Sequence, residues 1–583
     1  MLVVPAAALA QASDPGPVAV AVADVRAAAA SPLPAALADQ EADRSAANPD
    51  LRLDIRAPAD LGLWGESRFR LARVELLGVT VLDRTDTEPL LAPYRDRMVT
   101  MGELQALREA LSRLYLERGY VSSGVIIPDQ EIIDGVVRLQ AIEGRLTAVA
   151  VQTDRRLRPS YVSDRVQRRI EGPLDLDTLQ DALVALQNDA RIERVDAELA
   201  PGEQRGDSRL QLRVTEAKPW TVGLAFDNHR AESIGAERAR LQVTHGNVSG
   251  VGDALALSLD VTDGSNTGAV SYTRPVAADD SALSLYASLD DSSVLEAPFS
   301  ALDIESVSDT FGVRMTTPLY ETLRSEVGLS IGFERRTTVT RVLGRRFSLS
   351  PGAIDGESSV SALNVGLDYV VRGEAQVLAL RGTLRHGLDL FDATDADDAD
   401  GALLDADGQF TLALLQGQYV RQLTPALRFV ARLSAQLTDN ALLSSEKVSI
   451  GGVDTVRGYR ENLLVRDSGV AATLQLTGRP FVEAGQPWLR DLGIALFLDH
   501  GMAWDEQDTA PGSRLRDTDA SNRITGAGFG LVWTPFAGLS LEAWKGFDIA
   551  DDFASGEDPR DGGSRSGLQN EGVHLSLSWQ RSF

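Results

Sequence analysis

From Trp220 onward, apolar and polar residues alternate along the chain. Trp220, Val222, Leu224 and Phe226 form one such row. Leu255, Leu257, Leu259 and Val261 form another, as do Val327, Leu329, Ile331 and Phe333. Leu427, Phe429, Ala431, Leu433, Ala435 and Leu437 follow the same rule, and so do Val573, Leu575, Leu577 and Trp579. A period of two means a β-strand with one apolar face. About 16 such segments occur, joined by polar turns rich in Gly and Asp, which is the pattern of a transmembrane β-barrel with lipid on one face and water on the other. No blade repeat is visible, and the length is too great for one sandwich. No apolar run reaches the roughly 18 residues a membrane helix needs.

Upstream the period changes to that of helices. Phe69–Leu77 reads as a strand closed by Gly78. Thr100 then caps a helix carrying Leu104, Leu107, Leu111 and Leu114 at helical spacing, which Gly119 ends. Two strands follow, around Val125/Ile127 and Val137/Leu139/Ala141. The plan then repeats, with a strand at Val149–Val151 and a helix with Leu176, Leu179, Leu183 and Leu186. Strands at Val195/Ala197/Leu199 and Leu210/Leu212/Val214 complete it. This is a tandem of two small α+β domains. Before it, Val18–Ala30 reads as an alanine-rich helix stopped by Ser31-Pro32, with an acidic linker after Pro34. The opening MLVVPAAALAQA reads as the second half of a secretory signal with a small-residue cleavage site. The expected limits are 1–12 for the partial signal, 13–66 for the helix and linker, 67–145 and 146–216 for the small domains, and 217–583 for the barrel.

The net charge of the 583 residues is −27, which argues against a nucleic-acid partner. There is no cysteine, so no disulfide, thiolate chemistry or cysteine zinc site is available. The three lysines, Lys218, Lys447 and Lys545, do not follow glycine, which excludes a phosphate-binding loop of the Walker type. The five histidines form no HExxH pair, and no nucleophile triad or paired-carboxylate site can be argued. The chain is read as a non-enzyme without cofactor or metal. Arg205-Gly206-Asp207-Ser208 matches an adhesion tripeptide but falls in a predicted turn. Asp395–Gly408 resembles a calcium loop, yet Ala396 stands where the first ligand belongs, so it reads as an acidic outer loop.

One motif remains. Gly451–Arg460 reads GGVDTVRGYR, with Val456-Arg457-Gly458-Tyr459 at its centre. Phe497-Leu498-Asp499-His500-Gly501 ends a later strand. There Leu492, Ile494, Leu496 and Leu498 share one face, and Ala495, Phe497 and Asp499 the other. The leucine face must meet lipid, which turns Asp499 into the lumen. His500 is read as incidental.

Tandem small domains, about 16 strands, VRGY, FxDxG and Phe583 with Trp579 upstream of it resemble the outer-membrane transporters of two-partner secretion, the haemolysin secretion/activation type within the barrel-assembly superfamily. Gly119–Leu146 resembles the end of that family's first polypeptide-transport-associated (POTRA) domain. The resemblance implies a pore in the bacterial outer membrane with its small domains in the periplasm. It implies an unfolded exoprotein partner, haemagglutinin- or haemolysin-like and β-helical, secreted without nucleotide hydrolysis. It further implies that Arg457 pairs with Asp499 on the inner wall and that the N-terminal helix plugs the pore. Trp579 and Phe583 would then be the signal read by the barrel-assembly machinery during insertion into lipid. Barrel-assembly or lipid-export members of the superfamily, and a diffusion porin with periplasmic domains, are the alternatives.

Overall fold

The computed structural model describes residues 50–53, 68–322, 324–395, 406–506, 522–552 and 567–583. The expected signal and the Val18–Ala30 helix lie outside these residues, as does most of the acidic Asp395–Gly408 segment. The described chain divides into two compact units, one holding the small domains and one the barrel.

In the first small domain, helix α1 (Arg84–Leu91) and helix α2 (Met101–Glu117) accompany short strands. Thr100 caps α2: its hydroxyl accepts from the Glu103 amide at 3.2 Å, and the Glu103 carboxylate accepts from the Thr100 amide at 2.7 Å. Leu104, Leu107, Leu111 and Tyr115 turn inward from α2 and meet Leu71, Val99 and Leu139 in a sealed core. The expected single strand Phe69–Leu77 is two strands. Arg68–Leu71 pairs antiparallel with Arg97–Thr100, and Arg73–Leu77 pairs parallel with Val136–Ile142. The break is at Ala72, whose amide donates to the Gly135 carbonyl at 2.7 Å instead of to a ladder. Alternation alone does not reveal such a change of partner.

The second small domain has helices α3 (Pro159–Arg169) and α4 (Leu176–Gln187) against a four-stranded sheet. Helix α3 escapes the sequence pattern because it is mostly polar. It buries Tyr161, Val162 and Val166, and Arg165 lies over the Tyr161 ring at 3.6 Å. Asp50–Leu53, inside the expected linker, is a strand paired parallel to Ile192–Pro201 at one edge of the sheet.

The barrel is closed. Its strands are β1 (Trp220–Asp227), β2 (Arg238–Gly246), β3 (Ala254–Val261), β4 (Ser265–Pro275), β5 (Ala282–Ser293), β6 (Ile304–Glu321), β7 (Ser325–Val342) and β8 (Glu357–Arg372). The second half is β9 (Gln376–Leu388), β10 (Thr411–Thr424), β11 (Leu427–Thr438), β12 (Ser468–Gly478), β13 (Gly493–Trp504), β14 (Asn522–Phe536), β15 (Leu539–Asp551) and β16 (Val573–Ser582). A two-residue strand, Arg345–Arg346, extends the β7 hairpin. All neighbours are antiparallel, and β16 returns to β1 from Ser582 opposite Thr221 to Ser576 opposite Asp227. Closure leaves no strand edge, which a bilayer would not tolerate.

Side-chain parity does the rest. In β13 the burial alternates without a break: Ala495, Phe497, Asp499 and Gly501 are covered, while Ile494, Leu496 and Leu498 are exposed on the outer face. Leu257 and Leu259 of β3, Leu474 of β12, and Leu575 and Leu577 of β16 join that outer apolar belt.

Candidate functional site

The connection from β11 to β12, residues 439–467, folds back inside the barrel. Val448–Ile450 and Leu464–Arg466 pair antiparallel and turn its two legs into a ribbon. Ile450 and Leu464, the last pair of the ribbon, and Val456 and Tyr459 beyond it pack on Ala471 of β12, Ala503 of β13 and Ile524 of β14. A loop with an apolar underside is thus seated on an apolar patch of the inner wall. The Tyr459 hydroxyl, at the end of a buried ring, donates to the Ala550 carbonyl of β15 at 3.0 Å.

At the tip, Arg457 is 2% exposed and Asp499 is fully covered. The guanidinium Nε donates to Asp499 Oδ2 at 2.8 Å and Nη2 to Oδ1 at 2.9 Å, a bidentate pair. The Arg457 backbone amide also donates to Oδ2, at 3.0 Å, so the carboxylate holds both the charge and the chain. Nη1 donates to Gln475 Oε1 on β12 at 3.0 Å. The guanidinium carbon Cζ lies 3.6 Å from the Phe497 ring centre and 4.6 Å from that of Trp544 on β15, and those two rings meet edge to face at 5.9 Å. A cation removed from water is therefore balanced by a carboxylate, an amide oxygen and two aromatic rings, as a buried charge requires.

The wall is shaped to receive the loop. Gly458 has φ +106°, and a Cβ there would come 2.9 Å from the Phe547 backbone. On the wall, the lumenal row of β14 is Gly526, Gly528 and Gly530. A side chain at Gly526 would strike the Arg457 carbonyl, one at Gly528 would approach the Phe497 ring at 2.7 Å, and one at Gly530 would overlap Trp544. Gly546 of β15 likewise faces the Gly458 backbone. A Cβ on Gly501 would come 2.5 Å from Ile450 and 2.8 Å from Val456.

Each motif residue thus has a placement. Val456 and Tyr459 are buried against the wall, Gly458 allows the close approach, and Arg457 makes the polar bond. Phe497 lies under the cation, Asp499 pairs with it, and Gly501 leaves room for the loop. Trp579 and Phe583 stand apart from this group. Trp579 continues the outer row of β16, opposite Leu224 of β1, and the Phe583 amide donates to the Trp220 carbonyl at 2.8 Å with its ring half exposed. His500 points outward and bonds Thr525 Oγ1 at 2.9 Å. Arg205 and Gly206 lie in the turn between two strands of the second small domain, and Asp207 opens the second of those strands.

Sequence reasoning missed Gln475, Trp544 and the glycine row. Strand parity would have turned all of them inward. What it could not supply is register: Gln475 sits directly beside Phe497, and Gly528 on its other side.

Residues 206–532 match the family described as haemolysin secretion/activation protein ShlB/FhaC/HecB. Residues 69–144 match the POTRA domain of ShlB type. The outer membrane transporter CdiB of Dickeya dadantii (strain 3937) is 24% identical over 433 residues, covering 70% of this chain and 72% of the relative. The heme/hemopexin transporter protein HuxB of Haemophilus influenzae (strain ATCC 51907 / DSM 11121 / KW20 / Rd) is 21% identical over 408 residues, covering 67% and 70%. Among solved structures, CdiB from Escherichia coli superimposes with a TM-score of 0.64 at 20% identity, covering 94% of this chain and 96% of that one. These likenesses agree with the closed barrel and with small domains that are periplasmic in this family. The chain belongs to the haemolysin secretion/activation family of outer-membrane transporters, which carry a partner exoprotein out of the cell by two-partner secretion.

Proposed function

We propose that the β11–β12 loop is the working part of the pore and that the Arg457–Asp499 pair holds it in its transport-competent position. The observation that carries this reading is the bidentate, fully covered pair inside a closed barrel. The partner is an unfolded exoprotein of the haemagglutinin or haemolysin type, β-helical once outside. The small domains capture it by strand addition at a sheet edge, where backbone bonds give affinity and side-chain pockets give selectivity. The parallel pairing of Asp50–Leu53 with Ile192–Pro201 supports this, because it is a strand added to such an edge by the chain itself. Folding of the partner outside the cell supplies the drive, and the protein is not an enzyme. The barrel-assembly machinery inserts it into the outer membrane. Family membership favours secretion over barrel assembly, lipid export or diffusion.

The test is secreted partner per unit of inserted barrel in one strain. Arg457→Ala and Asp499→Ala should each lower that ratio, while the amount of heat-modifiable barrel stays close to the parent's. Unchanged secretion from both variants would remove the loop from the mechanism.

A further inference from the structure

The same loop carries a second buried charge cluster, at its base rather than its tip. Ser444–Glu446 forms one turn of 3-10 helix just after β11, and Glu446 is buried. Arg385 of β9 grips its carboxylate with two bonds, Nε to Oε2 at 2.7 Å and Nη2 to Oε1 at 3.1 Å. The same Nη2 donates to Glu334 Oε1 of β7 at 3.0 Å, and Nη1 donates to Asn364 Oδ1 of β8 at 3.1 Å. Glu334 is completely covered and also accepts from the Tyr286 hydroxyl of β5 at 2.9 Å. Arg336 of β7 donates to the Ser445 carbonyl at 3.0 Å and lies 3.9 Å from Glu446.

The charges divide in an informative way. The wall contributes Glu334, Arg336 and Arg385, a net of plus one. The loop contributes Glu446, minus one. The cluster is neutral only while the base of the loop is seated, and unseating it would leave a cation on the wall and a carboxylate on the loop without partners. Gln436 of β11 spans the neck of the loop: its amide donates to the Glu446 carbonyl at 2.8 Å and to the Asp467 carbonyl at 2.9 Å, one on each leg. The two anchors engage different sectors of the wall, β7 and β9 at the base against β12 and β13 at the tip. Their polarity is reversed, because the cation is on the loop at the tip and on the wall at the base.

We propose that Glu446, gripped by Arg385 beside Glu334 and Arg336, is a second anchor, which fixes the base of the loop so that release of the tip pivots the loop without freeing it. Glu446 is then a positioning residue for transport. The inference rests on the loop role proposed above, but the anchor can be tested without any partner protein. The chain has no cysteine, so one introduced thiol reports alone. Ser444 is suited to it, because its Oγ is inaccessible and bonded to nothing among the described residues, and Ser444→Cys is nearly isosteric.

Intact cells carrying Ser444→Cys are treated with a membrane-impermeant maleimide. The thiol should react slowly in the otherwise unchanged protein. It should react roughly tenfold faster with Glu446→Gln, the population change expected on losing a charge-assisted bidentate bond. Arg385→Gln should do the same, and Arg457→Ala should leave the rate unchanged, because it opens only the tip. Secretion per heat-modifiable barrel should fall severalfold with Glu446→Gln and recover in part with Glu446→Asp. Labelling as slow in both the Glu446→Gln and Arg385→Gln proteins as in the parent would overturn the anchor. Fast labelling with wild-type secretion would keep the anchor and overturn its part in transport. If Arg385→Gln yields no barrel, Glu446→Gln, which touches only the loop, decides the matter.

Discussion

Replacing Arg457 by lysine would keep the charge and lose most of what the residue does. An ammonium cannot pair bidentately with Asp499, reach Gln475 in the same plane and stack on Phe497 at once. Arg457→Lys is therefore expected to reduce secretion nearly as far as Arg457→Ala. The alanine variant leaves the Asp499 carboxylate buried without its counter-charge, with only the residue 457 backbone amide to bond, a cost on the order of 3–5 kcal/mol to loop docking. The double variant of Arg457→Ala with Asp499→Ala should secrete no less than the worse single, since both act through one contact. Additive losses in the secretion assay would show that the two residues act separately. Gly526→Ala is a stricter probe, because it adds one methyl group where the Arg457 carbonyl lies and changes no charge. It should displace the loop and lower secretion, read as partner released per inserted barrel. Of this site, the inward turn of Asp499 was legible from strand parity, and its pairing with Arg457 from the motif resemblance. Gln475, Trp544 and the Gly526–Gly530 row were not. Their roles depend on which strand lies beside which and in what register, and no local pattern encodes that.

At the scale of elements, helices α2 and α4 were readable because leucines recur on one face, while α1 and α3 were not. Helix α1 carries Pro89 in its interior and buries only Thr87, and α3 buries an arginine among its few apolar residues. Capping gives a direct test: Thr100→Ala should destabilise the first small domain by about 1 kcal/mol, measured by urea unfolding. A second element-scale feature is Glu143, which joins the end of Val136–Ile142 to the start of α1's approach. It accepts from the Thr80 amide at 2.7 Å, the Val81 amide at 3.1 Å and the Tyr115 hydroxyl at 3.0 Å, as well as from the Thr80 hydroxyl. Partial burial pushes its pKa up, but these donors outweigh burial and hold the carboxyl below the ordinary glutamate range. A carboxylate with a lowered pKa stabilises the fold above its unfolded pKa, and that stabilisation is lost as pH falls through the folded value. Amide exchange at Thr80 and Val81, corrected for intrinsic rates, should thus keep its protection from pH 7 down to about 4 and lose it as pH falls further. Glu143→Gln should abolish that pH dependence. Protection in the unsubstituted protein that did not change with pH would contradict the role given to the carboxylate.

For the whole molecule, the alternation after Trp220 was enough to read a closed barrel, because membrane and lumen impose opposite demands on successive residues. The two small domains were equally visible as a repeated plan. What the pattern could not show was that strands would range from the 8 residues of β1 to the 18 of β6 and β7, since the longest strands run on past the lipid belt into polar sequence. Deleting residues 68–216 should abolish export yet leave a heat-modifiable barrel in the outer-membrane fraction, because β1 to β16 close on themselves. Continued export after the deletion would remove capture from the small domains.

The unbroken alternation of β13 also limits how a chain like this can change length over evolutionary time. Inserting one residue between Leu496 and Phe497 would reverse every side chain on one side of the insertion. Either Asp499 would face acyl chains while Leu498 met the loop, or the strand would need a bulge to restore the phase. Two inserted residues would keep the phase but carry Asp499 about 7 Å along the wall, beyond the reach of Arg457. Tolerated insertions and deletions should therefore gather in the turns and outer connections, and a library of random single-codon insertions sequenced after selection for secretion should be empty across Gly493–Trp504.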